Sequence, residues 1–324
     1  MSKRVKNDKL HEEFRNFLKQ EVPEVLENVM IEGCDFKVDF YDPQSNIAIE
    51  FIHLWANSET HQPNRKWIVD RVDKLEPLGI KLVSVYQDEF FNKKELVKKK
   101  ILHILKRNNS PKIYARQCYV KEIDSNTLGK FLDANHIQGR SQAAIKLGLY
   151  ADIFDDKKLK AIPTLVAALS FVRPRVAMNS SKSSHDYELA RYATDISYCV
   201  TGGLSKLFSY FYKNYEWTSV LSYADRRFTS GISNIYESIG FKKSHCSNPS
   251  YFYFSKKDYY KKEFRYKYRK QELPKLLESF DIQLTEYQNM LNNNYMRVFD
   301  CGTFVFLYQK DPNSIKPRNL LMDD

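Results

Sequence analysis

The feature that most constrains this chain is a repeated switch between helical and strand-like hydrophobic periods. Leu10, Phe14, Phe17 and Leu18 recur at helical spacing over residues 8–20. Two short strand-like runs follow, 36–41 and 46–54, joined by Asp42-Pro43-Gln44-Ser45. In that linker Pro sets φ while Asp and Ser satisfy the backbone, which is the chemistry of a hairpin loop. The pattern then predicts a helix over 64–78, a buried strand over 79–86 and a lysine-studded amphipathic helix over 92–106. This α-β-β-α-β-α order within residues 1–108 describes a compact α/β domain.

Asn108-Asn109-Ser110-Pro111 reads as a boundary, since Pro after a polar cluster stops the preceding helix. A second α/β series is expected beyond it. It comprises a strand over 112–123, a helix over 125–134, strands near 147–153 and 159–172, and a helix near 186–193. A strand ending at Cys199-Val200, a helix over 204–213, a strand over 219–223, a helix over 232–239 and a strand over 251–254 complete it. The expected domains are therefore 1–108 and 109–255, with a tail, 256–324, packing on the second.

Composition removes several classes. Apolar residues make up 43% and charged residues 28%, which excludes wholesale disorder. The longest apolar stretch, Ala161–Val172, is interrupted by Pro163 and is too short for a bilayer. No apolar run follows Met1-Ser2-Lys3-Arg4, so a secretory signal is not expected. The five cysteines are never closer than 47 positions, which excludes zinc-knuckle spacing and fits reduced thiols. The expectation is a soluble cytoplasmic protein with no membrane partner. Basic residues exceed acidic ones by 51 to 40, and the excess is uneven. Residues 1–108 hold 19 basic and 18 acidic side chains, leaving 32 and 22 for the rest. That balance points the later part of the chain towards a polyanion.

Two acids stand out in the first domain. Asp39 lies in Val38-Asp39-Phe40-Tyr41 and Glu50 in Ile47-Ala48-Ile49-Glu50-Phe51, on adjacent strands of the expected hairpin. Carboxylates set among apolar residues are costly unless paired. Two on neighbouring strands suit a hard divalent cation, Mg²⁺ or Mn²⁺, which can activate water and offset charge at phosphorus. The same acids could equally be solvent-facing groups on an edge hairpin.

The stretch from Glu13 to Glu89 resembles PD-(D/E)XK endonucleases related to very-short-patch repair enzymes, in the branch of phage homing endonucleases. The matching pieces, in order, are Val38–Tyr41, Pro43, Ala48–Phe51, Trp55, Ser58-Glu59, Gly79–Val83 and Gln87–Phe90. The resemblance implies a metal-dependent nuclease domain, a mixed sheet flanked by helices, acting on double-stranded DNA in a bacterial host's cytoplasm. It implies Asp39 and Glu50 as catalytic metal ligands. Ile52 stands where the family's motif carries Lys, leaving Glu13, His53 and His61 as auxiliary catalytic candidates.

In the second domain, Gly202-Gly203-Leu204-Ser205 lies between an expected strand and helix, where bare backbone N–H groups can approach a phosphate. An ordinary strand–helix connection has the same appearance. With Val220–Arg226, Ile235–Phe241 and Phe131–His136, this region resembles GNAT acyltransferases. That resemblance implies a GNAT-like α/β domain with Gly202, Gly203 and Ser205 as cofactor-binding residues. Pieces such as Lys112–Arg116, Asn135–Gly139, Tyr187–Arg191 and Ser222–Arg227 also resemble the C-terminal half of the phage endonucleases, which favours DNA engagement over acyl transfer. The alternative is an acyl-CoA-dependent transferase with a degenerate nuclease domain, and a third reading is a non-catalytic DNA-binding protein.

Eight of residues 256–270 are Lys or Arg and five are aromatic. From Phe264 to Arg269 the two kinds alternate, so a strand would present a stacking face and a phosphate-facing face. Lys261, Lys262, Arg265, Lys267, Arg269 and Lys270 are the expected DNA contacts; a solvated edge strand is the plainer alternative.

Overall fold

A computed structural model describes residues 9–155, 158–174, 185–231 and 234–310. Helix α1 (Lys9–Glu21) buries Phe14, Phe17 and Leu18, as their spacing requires. Strands β1 (Leu26–Met30), β2 (Lys37–Asp42) and β3 (Ile47–Ile52) precede α2 (Trp67–Leu75) and β4 (Lys81–Tyr86). They form one sheet in the order β1-β2-β3-β4. The β2–β3 hairpin is antiparallel, and its turn is fastened by Asp42, which accepts from Gln44 N at 3.0 Å and Ser45 Oγ at 2.6 Å. β3 and β4 run parallel, so the chain must cross over between them, and α2 supplies the crossover. Every residue of β3 is buried, as expected of a central strand covered on both faces. Short α3 (Gln87–Asn92) and α4 (Lys94–Ile104) follow. β1 and α3 have no counterpart in the sequence reading, because an exposed edge strand and a six-residue helix leave little periodicity to detect.

The expected 112–123 strand is two strands. β5 (Lys112–Tyr114) and β6 (Tyr119–Glu122) are separated by a tight turn and enter different sheets. Helix α5 (Ser125–Asn135) starts where Asp124 accepts from the Asn126 and Thr127 amides. Then come β7 (Ile145–Asp155), β8 (Lys160–Val172), β9 (Tyr187–Thr194), β10 (Cys199–Thr201), α6 (Gly203–Asn214), β11 (Ser219–Asp225), α7 (Ile235–Ser238) and β12 (Lys242–Cys246). The segment expected as a helix near 186–193 is β9. Its residues tolerate a helix, but it pairs antiparallel with β8 and parallel with β11, and that tertiary pairing outweighs local preference. Positions 232 and 233 of the expected 232–239 helix lie outside the described residues.

The chain then builds β13 (Tyr251–Ser255), β14 (Asp258–Phe264), α8 (Leu273–Leu276), α9 (Glu286–Asn292), β15 (Tyr295–Phe299) and β16 (Thr303–Gln309). β14, β13 and β15 make a small antiparallel sheet. β16 enters a seven-stranded sheet of order β12-β16-β11-β9-β8-β7-β6.

Two compact units result. One joins residues up to Arg107 with Ser247–Thr303; the other joins Asn108–Cys246 with the chain from Phe304. This corrects the expected tail. Phe254, Met296, Val298 and Cys301 share a core with Val38, Ala48 and Leu82 of the first unit, so the basic segment belongs there and not to the second. Residues 311–324 of that tail lie outside the described residues. In the second unit, Leu204, Leu207, Phe208 and Phe211 of α6 pack on Leu147, Leu149, Leu169 and Phe171. Leu128, Phe131 and Leu132 of α5 pack with Ala168 and Ala193. Among the described residues, no helix is long and apolar enough to cross a membrane.

Candidate functional site

The β2–β3 register sets Phe40 opposite Ile49 and Tyr41 opposite Ala48. Strand alternation therefore carries Asp39 and Glu50 to one face of the sheet. Asp39 is half-buried, and its Oδ2 accepts from the Phe51 backbone N–H at 2.8 Å. Glu50 is 6% exposed, and its carboxyl shares a hydrogen bond with that of Asp39. Burial pushes the Glu50 carboxyl well above its ordinary range, and the neighbouring Asp39 charge adds to this. Arg71 works in the opposite direction without prevailing. The arrangement is a pair of carboxyls on one face of the sheet, in which burial and the neighbouring acid disfavour ionisation of Glu50.

Arg71, from α2, covers this pair. Its Nη1 forms an ion pair with Glu50 Oε1 and also donates to Lys37 O at 3.0 Å. The guanidinium lies 4.5 Å from the centre of the Phe36 ring and 5.3 Å from that of Trp67. Arg71 is not among the candidates expected from the sequence. The available signal was its place one helical turn after Trp67, on the face that α2 turns inward.

The other nuclease candidates are held elsewhere. His53 follows Phe51 and pairs with His11 of α1, Nε2 to Nδ1, at 3.0 Å. His11 also stacks on Phe51, with centroids 5.0 Å apart. This histidine pair is served by the α1 side of the strand, opposite in parity to Glu50. His61 packs on Trp55, with centroids 3.8 Å apart, and its Nδ1 lies 3.0 Å from Ser58 Oγ. Glu13 pairs with Lys94 at 2.7 Å. Among the described residues, no three His, Cys, Asp or Glu side chains gather as a ready metal cage. Asp39 and Glu50 nevertheless fit Mg²⁺ or Mn²⁺, since Mg²⁺ commonly takes only one or two protein carboxylates and fills its other positions with water and phosphate. The observation behind that fit is the placement of the two carboxyls on one face of the sheet, with Glu50 buried.

The expected DNA-contacting segment is rearranged. β14 ends at Phe264, and Arg265–Tyr268 form a 3₁₀ turn, so the alternation of aromatics and cations does not sort onto two strand faces. Lys262 is turned inward. Its side chain is 8% exposed and pairs with Asp88 at 2.8 Å and Glu89 at 2.9 Å. Lys261 and Lys267 lie 3.3 and 2.8 Å from Glu263. Lys270 Nζ donates to Ile282 O at 2.7 Å, while Arg265 and Arg269 are exposed.

In the second unit, Gly202 takes a left-handed φ of 78° immediately before α6, and Ser205 is half-buried in the helix's first turn. Gly203 is buried for a packing reason: a Cβ there would sit 2.8 Å from Tyr192 Oη. The Leu204 amide donates to that same hydroxyl, so one of the α6 N–H groups expected to meet a phosphate is already engaged. β5 also pairs with β10 just before the loop.

No protein-family model, curated protein or solved structure matches this chain.

Proposed function

We propose that the first unit is a divalent-metal-dependent endonuclease acting on double-stranded DNA, of the PD-(D/E)XK type found in phage homing endonucleases. The observation that carries this reading is the Asp39–Glu50 pair, two carboxyls on one face of the sheet with Glu50 buried and Arg71 as its ion-pair partner. In this reading Asp39 and Glu50 hold Mg²⁺ or Mn²⁺, which when bound lowers the pKa of water and offsets negative charge at the scissile phosphate. Asp39 is oriented by the Phe51 amide, and a cation held beside Glu50 would favour the ionised carboxylate that burial disfavours. Arg71, permanently charged, is positioned beside Glu50 to meet phosphate oxygens.

The test is incubation of the full chain with supercoiled plasmid or phage DNA and Mg²⁺. Removing a ligand forfeits several kcal/mol of charge stabilisation, so Asp39→Asn and Glu50→Gln should each slow cleavage at least about a hundredfold. Cleavage that persists in both variants would remove the assignment.

One observation favours a second reading, an acyl-CoA-dependent transferase. The second unit's strand order, with parallel β9 and β11 in register only over Tyr187–Leu189 and Val220–Ser222, is compatible with a GNAT-like sheet. Tyr192 at the head of α6 weighs against it. Calorimetric titration of the parent chain with millimolar coenzyme A decides, and absence of heat would dismiss the transferase. Gly203→Asp is unsuitable for that purpose because it would collide with Tyr192 whether or not a cofactor binds.

A further inference from the structure

Two exposed aromatic pairs involve β14, one reaching across to α3 and the other continuing into the turn after β14. Phe91 and Tyr260 are 49% and 40% exposed and stack with centroids 4.3 Å apart at 25°. Phe264 and Tyr266 are 37% and 63% exposed and stack at 5.6 Å and 17°. Tyr260 and Phe264 are four residues apart on one strand, a separation of about 13 Å. Between them Lys262 is fixed by Asp88 and Glu89, which holds the strand against α3. Exposed rings of this size are expensive to leave in water without a use.

The charge around the rings indicates what covers them. Lys261 is 69% exposed at its side chain and Lys267 47%, and Arg265 and Arg269 are exposed as well. Lys261 and Lys267 share Glu263, yet an apolar protein partner would not require the exposed Arg265 and Arg269 beside two aromatic pairs. A polyanion whose subunits also carry flat π-faces requires both, and unpaired nucleic acid has this chemistry.

We propose that the face formed by Phe91, Tyr260, Phe264 and Tyr266 stacks unpaired DNA bases, with Lys261, Arg265 and Arg269 meeting the adjoining phosphates. This deepens the endonuclease reading and rests on it for biological context: the substrate would include a single-stranded or locally unpaired segment. The binding itself is independent of cleavage.

The full chain is titrated with a fluorescently labelled oligothymidylate and, separately, with a matched duplex, both in EDTA so that nothing is cut. Tyr266→Ala should weaken oligothymidylate binding about tenfold, the weight of one lost base–aromatic stack, and change duplex binding less than about twofold. Tyr266→Phe keeps the ring and should bind like the parent. Arg265→Ala/Arg269→Ala should reduce the log–log salt slope for the oligonucleotide by about 1.4. Equal losses on duplex and single strand, or no loss in Tyr266→Ala, would overturn the proposal. So would binding of anionic phosphatidylserine vesicles in place of the oligonucleotide, which would make the patch a membrane-contacting one. Because the titration contains no divalent metal, failure of the Asp39–Glu50 assignment leaves its outcome unchanged.

Discussion

At the residue scale, Glu50 makes stability depend on pH. Its folded pKa is raised, so its contribution is fully present below the ordinary carboxylate pKa and is lost as pH rises through the raised value. In EDTA the parent's melting temperature should therefore fall with rising pH above the ordinary carboxylate range, and Glu50→Gln should flatten that fall. Mg²⁺ at a hundred times its dissociation constant should add about 2.7 kcal/mol, an increment lost in Asp39→Asn. A parent that ignores Mg²⁺ in thermal melts would refute the site. Glu59 behaves with the opposite sign. Burial tends to raise its pKa, but Arg297 and Arg65 outweigh burial and hold it low. Arg297 is 9% exposed and lies 3.8 Å from the Tyr287 ring centre, so losing its carboxylate partner leaves a charge in a nearly dry place. Glu59→Gln should cost about 3 kcal/mol in urea unfolding at pH 7, with the difference vanishing as pH falls through the lowered pKa of Glu59.

Two elements depend on contacts that a substitution can isolate. β14 is fastened to α3 through Lys262, which sits between Asp88 and Glu89 and 4.2 Å from the Tyr86 ring centre. Lys262→Met should cost about 3 kcal/mol, since it strands two buried carboxylates, yet leave the salt slope of DNA binding unchanged. A reduced slope in that variant would return Lys262 to the list of phosphate contacts. α6 is seated by its first residue. Gly203→Ala places a methyl 2.8 Å from Tyr192 Oη and 3.1 Å from Val200, an overpacking worth about 1–3 kcal/mol. In a Tyr192→Phe background the offending oxygen is gone, so the same substitution should cost measurably less in chemical denaturation. Equal penalties in both backgrounds would show that the helix start is set by something other than this close approach.

For the whole molecule, chain order and unit boundaries do not coincide. The first unit draws Phe254, Met296, Val298 and Cys301 from beyond residue 247 to close its core, and the second draws β16 from beyond residue 303 into its sheet between β12 and β11. A fragment of residues 1–107 should thus lack a cooperative melt by circular dichroism, whereas 1–107 joined by a flexible linker to 247–303 should regain one. If the 1–107 fragment melted cooperatively at the parent's temperature, the appended sheet would be an accessory and not part of the core.

Local chemistry made much of the framework legible. The 3.6-residue spacing in α1, the Asp42–Ser45 turn and the apolar runs of β3 and β4 each act within a few residues, and the fold keeps them all. The pairing of Asp39 with Glu50 was legible for the same reason, since a tight hairpin fixes which side chains share a face. Distant contacts decided the rest. Tyr187–Thr194 is a strand because β8 and β11 flank it, and Lys262 is buried because Asp88 and Glu89, more than 170 positions away, receive it. Arg71 reaches Glu50 only once α2 has crossed over the sheet, and Gly203 is confined only when Tyr192 arrives from β9. Hydrophobic period and turn chemistry are written along the chain; which buried charge finds which partner depends on where the folded backbone brings them together.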